Sequence, residues 1–363
     1  MTILFTLEYP PFRGGIANYY NNIVKYWPQE DKIIVLHNNE GQLLNSKWPV
    51  LKWWPAIKEL YRATQEANKN SATQVLVGHV LPLGTVAYLI SWLRPIEYSV
   101  FLHGMDLAFA QRSKRKKWLM KKILKRAQKI ICNSSYVAKQ AEEFMGRESA
   151  EKMVVVNPGV EQRLMVNGRL STELIRKYNL KNKLVLLTVG RLVKRKGVDK
   201  VLECLPGVLK EVPNLVYVIV GAGEELSNCQ LLMVNGQLEG SVLIITNANE
   251  DEKWAWYELC DIFIMPARNI KGDVEGFGIV YLEANLAGKP VIAGDSGGVR
   301  DAVEDGVSGL LINPEDINEI KNAIIKLAQD KNLRKKLGEE SRARALKDFS
   351  WEKQTKKIYS IIN

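Results

Sequence analysis

Cysteine is scarce in this chain, and the cysteines present form no pattern. Cys132, Cys204, Cys229 and Cys260 are the four in 363 residues. They lie far apart without any C-x-x-C, so neither a disulfide framework nor a thiolate zinc site is indicated, and a reducing, cytoplasmic compartment fits. The three histidines, His37, His79 and His103, are widely separated and no D-x-D occurs. A bound divalent ion is therefore not expected to be required. No basic segment or cleavage site surrounds the apolar run that follows Met1, so no export signal is expected. Long uncharged runs are nearly absent too. Val75 to Leu93 comes nearest to a membrane span, but His79, Pro82 and Gly84 divide it, which predicts a buried strand, a loop and a helix. G-x-G-x-x-G is also missing. "VGAGEEL" at 220–226 lacks the last glycine and "GDSGGV" at 294–299 is spaced differently, which weighs against a nicotinamide or flavin enzyme.

What is present is an ordinary globular mixture, 46% apolar and 25% charged, on a chain long enough for two domains. The net charge of +11 favours anionic partners. Short β-branched runs alternate with helical stretches. They occur at 2–7, 32–37, 74–79, 97–103, 129–134 and 152–157, and again at 183–190, 215–221, 242–246, 261–265, 290–294 and 309–313. Apolar strands separated by helices predict parallel sheets, and two series predict two doubly wound α/β domains. Ligands in such sheets bind at the carboxyl ends of strands, where loops run into helix N-termini.

One of those loops is "GDVEGFGIVYLEANLAGKP" at 272–290. Ile279, Leu282 and Leu286 predict the inward stripe of a helix over 279–287, stopped by Gly288 and Pro290. Glu283 falls on that stripe and needs either solvent or a partner. Gly276 and Gly278 let backbone amides approach an anion at the helix start. Carboxylates flanking a phosphate site suit hydroxyls, so Glu275 and Glu283 together suggest a nucleotide sugar. Countercharge for a diphosphate is available in "GRLVKRKG" at 190–197, where Arg191 and Lys196 occupy a strand-to-helix loop. Arg195 and Lys194 read as solvated members of a basic loop.

"GRLVKRKG", "VEGFGIVYLEA", "GGVRDAVEDG", "PFRGGIANY", "HGMD" and "NSSYVA", in this order and spacing, resemble retaining glycosyltransferases of family 4. The resemblance implies the GT-B fold, two Rossmann-like domains facing across a cleft. The expected division is an acceptor domain over 1–165, joined by a C-terminal helix at 347–363, and a nucleotide-sugar donor domain over 170–346. It implies that Arg191 and Lys196 bind the donor diphosphate, that Glu283 takes the ribose hydroxyls, and that Glu275 holds the transferred sugar. Backbone of Gly276, Phe277, Gly278, Ile279 and Val280 would line the donor. Gly14 and Gly15 would bring an amide to the phosphate, and His103 would lie near the sugar. Arg191, Lys196, Glu275 and His103 are thus the expected catalytic set. The implied chemistry is metal-free front-face transfer in which the leaving phosphate helps deprotonate the acceptor, and no catalytic base is assigned. "PARNIKGDVEGFGIVYLEA" resembles bacterial GDP-mannose-dependent enzymes, such as phosphatidylinositol mannosyltransferases, more than it does sucrose synthases or glycogen synthases. UDP-glucose or UDP-GlcNAc is the alternative donor. Thr246 and Ala248 depart from the family pattern at the base pocket.

Ten basic residues and no acidic one lie between Arg112 and Lys129, with Trp118, Leu119, Ile123, Leu124 and Ala127 at helical spacing. This predicts either a solvated basic face or a helix on an anionic membrane surface. The aromatic cluster "KWPVLKWWP" at 47–55 could add anchoring. A peripheral enzyme on the inner face of the cell membrane, with a lipid-linked or glycan acceptor, is the expectation. The remaining alternative of another class is a non-catalytic basic protein that binds nucleic acid or membrane, although no nucleic-acid partner is expected.

Overall fold

The structure is a computed structural model that describes residues 1–12, 14–38, 41–44, 52–67, 73–161 and 168–363. It divides into two compact units, Met1–Gly159 with Trp351–Asn363, and Val160–Ser350. The first unit holds β1 (Thr2–Thr6), β2 (Ile33–His37), β3 (Thr73–Val77), β4 (Ile96–Leu102), β5 (Ile130–Cys132) and β6 (Met153–Val155). The second holds β7 (Leu184–Val189), β8 (Leu215–Val220), β9 (Val242–Ile245), β10 (Ile262–Met265), β11 (Val291–Gly294) and β12 (Gly309–Ile312). Every apolar run singled out in the sequence is a strand. Residues such as His103 and Gly190 drop off the strand ends because the chain there turns into a loop.

Both sheets are parallel, in the orders β2-β1-β3-β4-β5-β6 and β12-β11-β10-β7-β8-β9. Alternation explains the double burial. Val185, Leu187 and Val189 of β7 join one hydrophobic cluster, while Leu184 and Leu186 join the cluster on the opposite face, as successive strand side chains must. Each sheet has one point where successive connections run off in opposite directions. It lies between β1 and β3 in the first unit and between β7 and β10 in the second. Such points open a crevice at the strand ends, where ligands of doubly wound sheets bind.

The uncharged run at 75–93 is β3, a wide turn at Val80–Gly84, and the helix Thr85–Leu93. No helix among the described residues is long and apolar enough to cross a membrane. The last helix, Trp351–Ile362, packs within the first unit. Trp351 is buried there, with its ring edge-on to Tyr19 at 5.4 Å, and Lys357 Nζ donates to the Val155 carbonyl at 2.8 Å.

Candidate functional site

Two loops meet at the switch point of the second unit, Gly190–Gly197 after β7 and the segment from Pro266 to Gly278 after β10. Their backbones touch. Arg268 N–H donates to the Arg195 carbonyl at 2.8 Å. At Gly197, whose φ is +73°, any Cβ would lie 2.2 Å from the Pro266 carbonyl oxygen, so only glycine permits this approach. The glycines of "VGAG" have an equally local role. A Cβ on Gly221 would meet the Gly190 carbonyl oxygen at 1.9 Å, which accounts for that motif by close backbone packing of neighbouring loops.

The contact brings Lys196 and Glu275 together. Lys196 Nζ and Arg195 Nη1 both donate to Glu275 Oε2, each at 2.5 Å. Arg195 Nε also lies 3.1 Å from Asp273 Oδ1, an ion pair without hydrogen-bond alignment. The sequence reading of Arg195 as a solvated loop residue is therefore corrected. Its side chain is buried, because the acids of "GDVEG" face it from the other loop. Arg191 remains exposed yet lies near enough to act on Lys196.

Electrostatics at this point are lopsided. Burial would raise the pKa of the Glu275 carboxyl, but Lys196 and Arg195 outweigh it and hold it below its ordinary value. The Lys196 ammonium is pushed below its own ordinary value, by burial first, with Arg195 and Arg191 adding to that against the pull of Glu275. Burial alone accounts for most of that shift, so the charge balance follows from the groups present: Arg191, Arg195 and Lys196 face the carboxylates of Glu275 and Asp273. The cluster is short of an anion.

Behind these groups is a second buried pair that sequence reasoning missed. Arg268 Nη2 donates to Asp199 Oδ2 at 2.6 Å, with 2% of Arg268 exposed. The two residues are 69 positions apart, so no local pattern announces them. Together they tie the β10 loop to the helix Val198–Glu211 that follows Gly197.

The predicted helix is present as Ile279–Leu286, with Leu282 and Leu286 buried. Glu283 is half-buried and has partners. It accepts from Tyr257 Oη at 2.8 Å and from Lys253 Nζ at 3.4 Å. Burial opposes the charge on Lys253, yet Glu283 and Glu250 prevail and raise its pKa. The two glutamates thus occupy separate surroundings on one loop-helix segment, Glu275 among cations and Glu283 beside a phenol and a lysine. Phe277 is buried and packs its ring 6.0 Å from Phe349. Ile279 and Val280 are partly buried against the same cluster. Ala248 packs against it too, while Thr246 is exposed.

In the first unit Gly14 precedes the helix Gly15–Lys25, and Gly15 is its exposed first residue. His103 follows β4. Its backbone N–H donates to Asp106 Oδ2 at 2.9 Å, its Nε2 is 2.7 Å from Tyr20 Oη, and Tyr19 lies edge-on at 5.2 Å. Burial lowers its pKa to about 4, opposed by Asp106 and Glu8 and assisted by His79.

The basic stretch forms the helix Lys114–Arg126. Ile123 and Leu124 face the core, while 61% of Trp118 is exposed. Arg126 clamps this helix to Thr85–Leu93, donating to Ser91 Oγ at 2.6 Å and the Ser91 carbonyl at 2.8 Å, with its guanidinium 4.2 Å from the Trp92 ring centre. Leu89, Trp92 and Leu93 are exposed beside it. Of the aromatic cluster at 47–55, residues 47–51 lie outside the described residues, and Trp54 is exposed.

Two family models match the chain, Glycosyltransferase Family 4 over residues 13–163 and Glycosyl transferases group 1 over residues 171–344. An uncharacterized glycosyltransferase of Methanocaldococcus jannaschii is 27% identical over 97% of this chain and 95% of its own. The GDP-mannose-dependent alpha-(1-6)-phosphatidylinositol monomannoside mannosyltransferase of Mycolicibacterium smegmatis is 25% identical over 99% and 98%. Among solved structures, Anabaena Alr3699/HepE in complex with UDP superposes with a TM-score of 0.84 at 21% identity, covering 99% of both chains. WaaG, a glycosyltransferase involved in lipopolysaccharide biosynthesis, superposes at 0.73 with 17% identity over 100% of both chains.

Proposed function

The chain belongs to the family 4 glycosyltransferases with the GT-B fold, and on that premise we propose that it transfers a hexosyl group, mannose from GDP-mannose, to a lipid-linked or glycan acceptor with retention. The observation that carries the proposal is the cluster at the second unit's switch point, where the three cations Arg191, Arg195 and Lys196 face the two carboxylates Glu275 and Asp273. A diphosphate supplies the missing charge. Arg191 and Lys196 receive it and stabilise the charge that grows as it leaves, an effect worth about 3–4 kcal/mol for one well-placed donor. No metal ion is needed in this scheme. Glu283 and Glu275 take hydroxyls of the ribose and the transferred sugar, and the departing phosphate accepts the acceptor's proton on the same face.

The GDP-mannose choice is supported by the M. smegmatis relative and by the segment "PARNIKGDVEGFGIVYLEA". A UDP-sugar is the competing donor. Proton NMR of the first sugar released from GDP-mannose tests both donor and stereochemistry. α-Mannose appearing before mutarotation supports retention, and β-mannose contradicts it. A membrane-bound acceptor is supported by the basic helix Lys114–Arg126 with exposed Trp118 and Trp92, since cations near anionic lipid contribute roughly 1 kcal/mol each. Sedimentation with phosphatidylglycerol vesicles across a salt series checks it, and binding indifferent to lipid charge contradicts it.

A further inference from the structure

Tyr20 lies on the helix after β1, and its ring is fully buried over the ends of β3 and β4. Gly78 makes room for it. A Cβ there would sit 2.9 Å from Tyr20 Cζ and 2.8 Å from Thr6 Oγ1. The phenolic oxygen is 2.7 Å from the Gly78 carbonyl oxygen and 2.7 Å from His103 Nε2. A carbonyl can only accept, and a phenol has one proton. If that proton went to His103 instead, two oxygen lone pairs would face each other at hydrogen-bond distance inside the core, at the cost of an unmade buried bond. Tyr20 therefore donates to Gly78 and meets Nε2 as an acceptor.

We infer that Tyr20 fixes His103 as the Nε2–H tautomer and so presents Nδ1 as a lone-pair acceptor for a hydroxyl of the transferred sugar, which makes Tyr20 a positioning residue. The sugar role rests on the function proposed above, while the tautomer rests on the Tyr20, Gly78 and His103 geometry alone. Among the described residues Nδ1 has no hydrogen-bond partner, and the Asp106 carboxylate is occupied by the backbone N–H of His103. The ionisable groups acting on His103 are Asp106 from the helix after β4, Glu8 from the loop after β1 and His79 from the turn after β3, with the Tyr20 hydroxyl at Nε2. Burial keeps the ring neutral at physiological pH against Asp106 and Glu8. A neutral ring keeps the Nδ1 lone pair, which protonation would remove.

The test is a long-range proton–nitrogen NMR correlation on protein labelled with ¹⁵N in its imidazoles, the three signals being assigned with H37Q, H79Q and H103Q. The expected wild-type spectrum shows His103 protonated at Nε2 only, at pH 7. An Nδ1–H or doubly protonated His103 overturns the inference, and that reading is made on the wild-type protein. Tyr20→Phe keeps the ring but removes the fixed acceptor. It is expected to shift the His103 signals toward the other tautomer and to lower kcat/KM for GDP-mannose about tenfold, the equivalent of one hydrogen bond. The Kd of GDP, which has no sugar to present, should stay within about twofold. An unchanged spectrum and kcat/KM in Tyr20→Phe overturn the positioning role. Failure of the wild type to bind any nucleotide sugar sinks the sugar role together with the proposed function, and leaves the tautomer to be decided by its spectrum.

Discussion

At the end of β7, three basic side chains and two carboxylates gather in and around a largely buried contact between loops. At the end of β4, one strand from the first unit's switch point, the space is filled by rings and a histidine whose low pKa keeps it uncharged. The second unit concentrates charge and remains short of an anion, whereas the first spends its polar groups on one another through Tyr20, Gly78 and His103. Both arrangements stand at carboxyl ends of parallel strands near a switch point, so topology supplies the place and side chains decide the chemistry. A diphosphate suits one, and an uncharged hydroxyl suits the other.

Removing charge from the second unit should break this contrast most severely. Lys196→Ala and Arg191→Ala are each expected to lower kcat/KM about 10²- to 10³-fold. Arg191→Ala should leave thermal stability nearly unchanged, because the residue is exposed and substitutions there usually cost within about 0.5 kcal/mol. Steady-state kinetics with GDP-mannose and a melting curve check both parts. Arg195→Met should act differently, as it strips one of two cations from a buried carboxylate. Urea denaturation should show a loss of about 1.5–3 kcal/mol, the usual worth of a hydrogen bond to a charged group, because Lys196 still neutralises the carboxylate.

The first unit is tested by pH. His103 has a folded pKa of about 4 against an ordinary 6.5, so below 6.5 the unfolded chain binds a proton that the folded chain refuses. Its contribution to stability is complete above that value and is lost as pH falls toward 4. His103→Gln should therefore lose less melting temperature than wild type between pH 7 and pH 4.5. Equal slopes would contradict a neutral, buried imidazole. The smallest effect is expected at the surface. Trp92→Ala with Trp118→Ala should weaken binding to phosphatidylglycerol vesicles several-fold while moving the melt little, since both rings are largely exposed and Arg126 keeps its hydrogen bonds to Ser91.

The strands were legible because residues buried on both faces must be apolar over a continuous run, and the helix over 279–287 because its stripe has helical spacing. Lys196 and Glu275, chosen from the sequence, do come into contact. Glu283 was placed correctly on its helix, but its partners Tyr257 and Lys253 were not foreseen. The arginines were the main loss. Arg195 in "KRK" has the composition of a solvated loop, and its acids are supplied by a segment about 80 residues later. Tyr20 looked like any aromatic of a core helix, since its partner His103 is 83 residues away. Local composition reports the burial of apolar runs well. It does not report which distant side chain satisfies a polar atom, because that depends on strand order.

The central claim, that the cations at the end of β7 await a sugar nucleotide, is tested most directly by thermal shift with GDP, UDP, ADP and their sugar conjugates on wild type and on Arg191→Ala. Selective binding raises the melting temperature by mass action. The expected result is a rise with GDP and GDP-mannose in the wild type that is largely lost in the variant. A melting temperature indifferent to every nucleotide, or a rise that persists undiminished without Arg191, would contradict the account.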